Sequence, residues 1–194
     1  HINQKTILDS KSRFRVVMCG RRFGKSELSQ IEIISNALNG SRVAYITPTY
    51  KLAKTFFDQL VKAVPFESNR SDLHIKFPNG GSIEFYTGER LDGLRGRKFH
   101  LAVIDEASFI PDLEDGWLNS IRATLTDYKG RALFLSTPKG KNYFYSMYLK
   151  GFNKESDWES FKFTTYDNPY IDSSEIDDAK TQLPLVVFEQ EYLA

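Results

Sequence analysis

An α/β fold, with a mainly parallel central sheet flanked by helices, is predicted from three features of this sequence. Short apolar runs at residues 14–18, 42–46, 100–104 and 132–135 show little polar alternation, as strands buried on both faces do. Between them, residues 25–38, 50–63, 117–124 and 143–149 carry apolar side chains at helical spacing. Strand and helix therefore alternate, as they do where helical crossovers join parallel strands.

Each element has a local reason. The first run, Phe14-Arg15-Val16-Val17-Met18, leads through Cys19-Gly20-Arg21-Arg22-Phe23-Gly24-Lys25-Ser26 into the helical Glu27-Leu28-Ser29-Gln30-Ile31. The second strand ends at Thr47-Pro48-Thr49-Tyr50, which reads equally as a helix N-cap behind a proline or as a contact to nucleotide or nucleic acid. Residues 73–77 and 82–86 alternate on either side of Pro78-Asn79-Gly80-Gly81 and predict a β-hairpin inserted between the second and third parallel strands. Residues 160–165 suggest one more strand. Asp167-Asn168-Pro169 breaks the chain, 173–182 reads as a short acidic helix, and 184–194 reads as helical. The expected organisation is a core over 1–168 and a small lid or linker over 169–194.

Composition narrows the function. The 194 residues, 41% of them hydrophobic, suffice for a substantial core. A net charge of +1 excludes a polybasic nucleic-acid binder, so any DNA contact must come from local patches. The single cysteine, Cys19, allows no internal disulfide and fits a reducing compartment, where it reads as a small buried side chain at a strand end. No apolar run approaches membrane-spanning length, and no secretory signal or membrane association is expected. The chain ends inside a helical pattern, which suggests a piece of a longer protein.

Strand, glycine-rich loop and a helix opening on Gly-Lys-Ser form the layout of a phosphate-binding P-loop. Successive N–H groups make an anion nest, and the helix N-terminus adds its positive end. Gly20, Arg21, Arg22, Phe23, Gly24, Lys25 and Ser26 are the expected nucleotide-binding residues. Lys25 would reach the β/γ-phosphates, and the Ser26 hydroxyl would bind Mg²⁺. The usual first glycine is replaced by Cys19, with Gly20 one place later. Leu101-Ala102-Val103-Ile104-Asp105-Glu106 is a buried strand ending in two carboxylates, at the sheet edge where ligands collect. Asp105 would hold Mg²⁺, and Glu106 would act as general base toward water. The expected fold is thus a P-loop NTPase of the type with an additional strand and a catalytic glutamate. Leu133-Phe134-Leu135-Ser136-Thr137-Pro138 ends a further strand in hydroxyls that could sense the γ-phosphate. Arg21, Arg22 and Arg95 are candidate catalytic guanidinium groups, the first two from within the chain and Arg95 from a neighbouring subunit. Arg95 and Arg97 read equally as a solvated loop or a DNA-phosphate contact. Gln4 is a candidate adenine reader, and the absence of an Asn-Lys-x-Asp motif favours ATP over GTP. The aromatic segment 143–148 reads as packing rather than a base platform.

Together these motifs resemble the ATPase domain of the large terminase subunit of tailed bacteriophages. The resemblance runs through Gly20–Ser26, Tyr45-Ile46-Thr47-Pro48-Thr49-Tyr50, Leu94-Arg95-Gly96, Ile104-Asp105-Glu106-Ala107 and Ser136-Thr137-Pro138 to Thr165-Tyr166-Asp167-Asn168-Pro169 and 188–193. It implies an ATP- and Mg²⁺-dependent motor that drives double-stranded DNA into a procapsid. By matched position, Lys25 and Ser26 are P-loop ligands, Asp105 the metal aspartate and Glu106 the catalytic glutamate. Ser136, Thr137 and Pro138 match the coupling motif, and Arg95 matches a finger acting in trans. The implied partners are the portal protein, the small terminase subunit and further copies in a homo-oligomeric ring, a pentamer in the usual description, with the isolated domain able to stand as a monomer. The implied location is the host cell cytoplasm. A nuclease domain would follow Ala194, so nuclease activity is not expected from these residues. Three other readings stand beside this one: a superfamily 2 helicase-like translocase, a non-catalytic nucleotide-dependent assembly switch, and a small-molecule kinase, which Glu106 disfavours.

Overall fold

Side chains along a strand point alternately to opposite faces, and the computed structural model, which describes residues 1–194, uses both faces of nearly every predicted strand. The strands are β1 (Phe14–Cys19), β2 (Arg42–Thr47), β3 (Glu67–Asn69), β4 (His74–Lys76), β5 (Ser82–Thr87), β6 (Leu101–Asp105), β7 (Arg131–Ser136) and β8 (Trp158–Phe163). They form one sheet in the order β3-β4-β5-β2-β6-β7-β1-β8. Every pairing from β5 to β8 is parallel, and β3 and β4 are antiparallel.

Helices α1 (Ile2–Asp9), α2 (Lys25–Leu38) and α3 (Tyr50–Ala63) lie on the face that carries Val17, Cys19, Val43 and Tyr45. The opposite face carries Val16, Met18, Ala44, Ile46 and Phe134. It is covered by α4 (Leu113–Gly116), a π-helical stretch Trp117–Ile121, α5 (Arg122–Thr124) and α6 (Tyr143–Phe152). The chain ends in α7 (Ser173–Gln182), α8 (Leu185–Phe188) and a π-helical turn, Glu189–Leu193. No helix is long and apolar enough to cross a membrane.

Three expectations are corrected. The predicted hairpin forms, with β4 and β5 antiparallel from His74↔Glu84 to Lys76↔Ser82, but its second arm is no mere insertion, because β5 also pairs with β2 from Arg42↔Ser82 to Thr47↔Thr87 and is a full member of the parallel sheet. On β5, Ser82 and Glu84 are buried as well as Ile83 and Phe85. The strand expected at 160–165 begins two residues earlier, at Trp158, and the helix expected at 117–124 continues from Leu113. Helix α1 was not expected, since only Gln4 and Ile7 are buried along it and no apolar stripe announces it. Thr49 caps α3 by accepting from the Leu52 N–H at 3.4 Å, which fulfils the N-cap reading of that turn. Phe144 and Met147 are buried in the core, as the packing reading of the aromatic segment requires.

A charge pair lies inside the first layer. Arg15, fully buried on β1, forms an ion pair with Glu32 of α2 and donates to the Ile7 carbonyl of α1 at 3.0 Å. It fixes the loop-bearing strand, the helix after the loop and α1 to one another. Removing one member of such a pair leaves a buried charge uncompensated. Glu32→Ala should therefore lower the unfolding free energy by about 3–5 kcal/mol, measured by urea denaturation. Arg15→Met/Glu32→Leu should recover most of that loss.

Candidate active site

The register of three parallel strands assembles the site. Met18 of β1 pairs with Ser136 of β7, and Leu135 of β7 pairs with Asp105 of β6. The carboxyl ends of the strands bearing the loop, the hydroxyls and the two carboxylates are thereby level. After Cys19 the chain turns through Gly20–Gly24 into α2. Gly24 caps this helix at φ 104°, a backbone that favours glycine, and a Cβ there would lie 2.6 Å from Nε2 of Gln4 and displace that amide. The N–H groups from Arg22 to Glu27 donate to no atom of the chain. They present a run of donors at the positive end of a 14-residue helix.

These donors lie at a cavity of about 600 Å³ whose lining includes Gln4, Arg21–Ser26, Glu106, Asn168, Tyr170 and Ile171. Nζ of Lys25, nearly buried, lies 3.8 Å from Oε1 of Glu106. Glu106 has a left-handed backbone (φ 50°, ψ 43°) that turns the chain sharply out of β6. A non-glycine residue held there costs on the order of 1–3 kcal/mol, and such strain tends to cluster at functional sites. Ser136 Oγ donates to Glu106 Oε2 at 3.4 Å, while Ser108 Oγ lies 2.6 Å from Ser136 Oγ and donates to the Thr137 carbonyl at 2.7 Å. Asn142, the N-cap of α6, donates to the Ser108 carbonyl at 2.9 Å. A buried polar chain thus runs from Glu106 to α6.

Asp105 is buried and doubly restrained. Its Oδ2 accepts from the Tyr45 hydroxyl at 2.6 Å, and its Oδ1 accepts from the Glu106 N–H at 3.0 Å. Burial pushes the carboxyl up to about 6, against the opposing pull of the Tyr45 hydrogen bond and the Lys25 charge. Burial and the same carboxylate push the Tyr45 phenol well above its usual value. Ser26 is exposed at the start of α2. The hydroxyl of Ser26 and the carboxylate of Asp105 are hard oxygen donors of the kind Mg²⁺ prefers.

The sequence candidates do not all converge. Phe23 turns its ring away from the cavity, buried and stacked on Phe163 at 5.0 Å, and leaves only its backbone to the site. Gln4 donates its amide Nε2 to the Gly24 carbonyl at 2.9 Å. The Arg21 guanidinium pairs with Glu191. Pro138 lines a neighbouring cavity with Met18, Lys141 and Tyr145. Arg95 follows the 3₁₀ turn Gly88–Leu94 beyond β5, exposed and 3.1 Å from Asp92, outside the cavity. Tyr45, Ser108, Asn168 and Tyr170 were not expected at the site. Tyr45 looks like one more apolar residue in a strand, and only the pairing of β2 with β6 brings it to Asp105.

Known proteins share the sequence pattern and the fold. The family model described as terminase large subunit, T4likevirus-type, N-terminal, matches residues 16–192. The large terminase subunit of Escherichia phage T5 is 30% identical over 96% of this chain and 44% of its own length. The chain spans less than half the length of the curated phage relatives it matches. Among solved structures, the large terminase ATPase domain of Thermus phage P74-26 superposes with a TM-score of 0.86 at 28% identity, covering 99% of this chain and 92% of that one. The large terminase of another thermophilic bacteriophage, solved in complex with ADP, shares the fold at a TM-score of 0.79 and 17% identity, over 98% of this chain and 52% of that one.

The raised Asp105 carboxyl gives a signed expectation. A carboxyl whose folded pKa lies above its unfolded value favours the fold while protonated, and that contribution is lost as pH rises from about 4 through about 6. Asp105→Asn cannot ionise and escapes the loss. In magnesium-free buffer, its unfolding free energy relative to the unmodified protein should rise by about 3 kcal/mol at most between pH 4 and pH 7. Denaturant titrations at the two pH values check this.

Proposed function

This chain belongs to the terminase large-subunit family, matching its N-terminal part, and from that premise we propose that it is an ATP-hydrolysing motor domain for packaging double-stranded DNA. The observation that carries the reading is a single cavity in which a free run of loop N–H groups and Lys25 face Glu106. A nucleoside triphosphate placed with its phosphates on that loop meets, on one side, backbone donors and an ammonium that neutralise charge. On the other side it meets a carboxylate able to orient and deprotonate a water.

The residues divide the work as follows. The loop N–H groups and Lys25 bind the phosphate tail. Lys25 touches Glu106 in this structure, so engagement of the phosphates by Lys25 would release Glu106 toward the water. Mg²⁺, held by Ser26 and Asp105, would neutralise charge on the phosphate oxygens. The Tyr45 hydroxyl and the Glu106 N–H keep the Asp105 carboxylate in a fixed orientation. Ser136 reports the position of Glu106 through Ser108 to the N-cap of α6, a route by which hydrolysis could move a surface element. Arg22 lines the cavity without an ion-pair partner and is the better candidate for a guanidinium supplied in cis, since Arg21 is held by Glu191. Arg95, exposed in the connection between β5 and β6 and outside the cavity, suits a role toward the adjacent subunit of a ring. Portal protein, small subunit and a pentameric assembly in the host cell are part of the same proposal, by family.

Lys25→Ala should weaken ATP binding at least tenfold in a fluorescence titration, and unchanged affinity would remove the phosphate-loop assignment. Glu106→Gln should bind ATP as well as the unmodified protein while turnover falls roughly 10²- to 10⁴-fold, the usual weight of a general base. Mixing Arg95→Ala with unmodified protein should give ATPase rates below the weighted sum once subunits associate. Strictly additive rates would argue against a role in trans.

A further inference from the structure

The outer face of the phosphate loop is held as completely as its inner face is left free. A loop can aim consecutive N–H groups at an anion only if its carbonyls turn the other way, and those carbonyls need donors. The Arg21 carbonyl accepts from Thr165 Oγ1 at 2.8 Å, and the Arg22 carbonyl accepts from Asn168 Nδ2 at 2.6 Å. Nε2 of His1 lies 3.0 Å from the Phe23 carbonyl, and Gln4 serves Gly24. Each carbonyl from Arg21 to Gly24 therefore has a side-chain partner from outside the loop.

Thr165 and Asn168 belong to the segment that follows β8. Thr165 is 1% exposed and Asn168 9%. The Asn168 amide is oriented by its other end, where Oδ1 accepts from the Tyr170 N–H at 3.0 Å. Asp167 accepts from the Thr164 N–H and hydroxyl at 2.6 and 2.8 Å and fixes the turn that presents both donors. The same segment returns to the loop after α8. The Glu191 carbonyl accepts from the Arg21 N–H at 2.7 Å, and its carboxylate pairs with the Arg21 guanidinium. Gly20 lies beneath this strap. A Cβ there would come within 2.5 Å of the Tyr192 carbonyl and 2.6 Å of Thr165 Oγ1, so glycine at this place serves the strap.

We propose that Thr165 and Asn168 are positioning residues for the phosphate loop, and that through them nucleotide occupancy and the order of the segment from Thr165 to Leu193 are thermodynamically linked. The inference rests on the nucleotide-binding reading of the loop. Without these donors the loop carbonyls are free to rotate inward, and binding must first rebuild the nest. Linkage is reciprocal: a nucleotide that fixes the loop must also hold the strap closed.

The test has two parts. Binding of a methylanthraniloyl-labelled ATP is titrated by fluorescence for the unmodified protein, Thr165→Val, Asn168→Asp and Lys25→Ala. Hydrogen exchange over residues 164–193 is then followed with and without saturating nucleotide. Thr165→Val should weaken binding about fivefold, the weight of one hydrogen bond. Asn168→Asp, which sets an acceptor against the Arg22 carbonyl, should weaken it more. In the unmodified protein, nucleotide should slow exchange in the segment, and this protection should shrink in both variants even when they are saturated. Binding that Lys25→Ala abolishes and Asn168→Asp leaves intact would overturn the inference alone. So would exchange in the unmodified segment that nucleotide does not change, an outcome that needs no variant to fold. Absence of nucleotide binding in the unmodified protein would overturn the inference together with the reading beneath it.

Discussion

Parallel pairing of β1, β7 and β6 in fixed register is the constraint on which the site depends. A slip of one residue between two parallel strands exchanges the faces of every side chain. Here both faces are buried, by helices α1–α3 on one side and α4–α6 on the other, so a slip would drive Arg15 out of its pocket against Glu32 and turn the alternate set of side chains inward. The register that satisfies the two cores is also the one that levels Met18 with Ser136 and Leu135 with Asp105. Chemistry at the sheet edge is therefore held in place by packing well below it.

Around that edge the protein places charge where burial makes it expensive and then restrains it. Asp105 prefers to be neutral below about pH 6, yet both its oxygens are already hydrogen-bonded. Tyr45 stays a neutral hydrogen-bond donor to it, because burial and the neighbouring carboxylate raise its own pKa. A divalent cation beside Asp105 would offset the cost of the buried charge. The destabilising feature of the nucleotide-free fold is thus compatible with a site built for a metal–nucleotide complex. Glu106 faces the opposite situation: partly exposed, it leans on Lys25, a contact that anionic phosphates would compete for.

Much of this was legible in the sequence because the signals were local. The loop, its flanking strand and helix, and Asp105-Glu106 are short patterns whose residue types follow directly from phosphate chemistry. The limits of α2 and α3 coincide with the predicted periodic segments. What stayed hidden depends on partners far along the chain. Gly20 looked like a displaced P-loop glycine, but its close neighbours are Thr165 and Tyr192. Gln4 sits on a helix with no apolar stripe, and its contact with Gly24 exists only because α1 folds back over the loop. The alternation of β5 announced a hairpin arm but not its place inside the parallel sheet. Glu84 is buried beneath Arg42, Arg97 and Tyr86, and polar residues satisfied in this way are invisible to a hydrophobic pattern.

The arginines show how partner strength separates roles that sequence alone could not rank. Arg21 is engaged at three places, with its N–H and carbonyl bonded to Glu191 and Thr165 and its guanidinium paired with Glu191. Redirecting it would dismantle the strap. Arg22 engages only its carbonyl, with Asn168, and lines the cavity with no ion-pair partner. Arg95 is held by a single exposed contact with Asp92, and pairs of that kind contribute about 1 kcal/mol or less. A guanidinium that must change partners in each turnover should start from such a weak contact, because any stronger resting pair adds directly to the cost of engagement. On the proposed motor reading, Arg21 therefore serves architecture, Arg22 the bound phosphates, and Arg95 the neighbouring subunit.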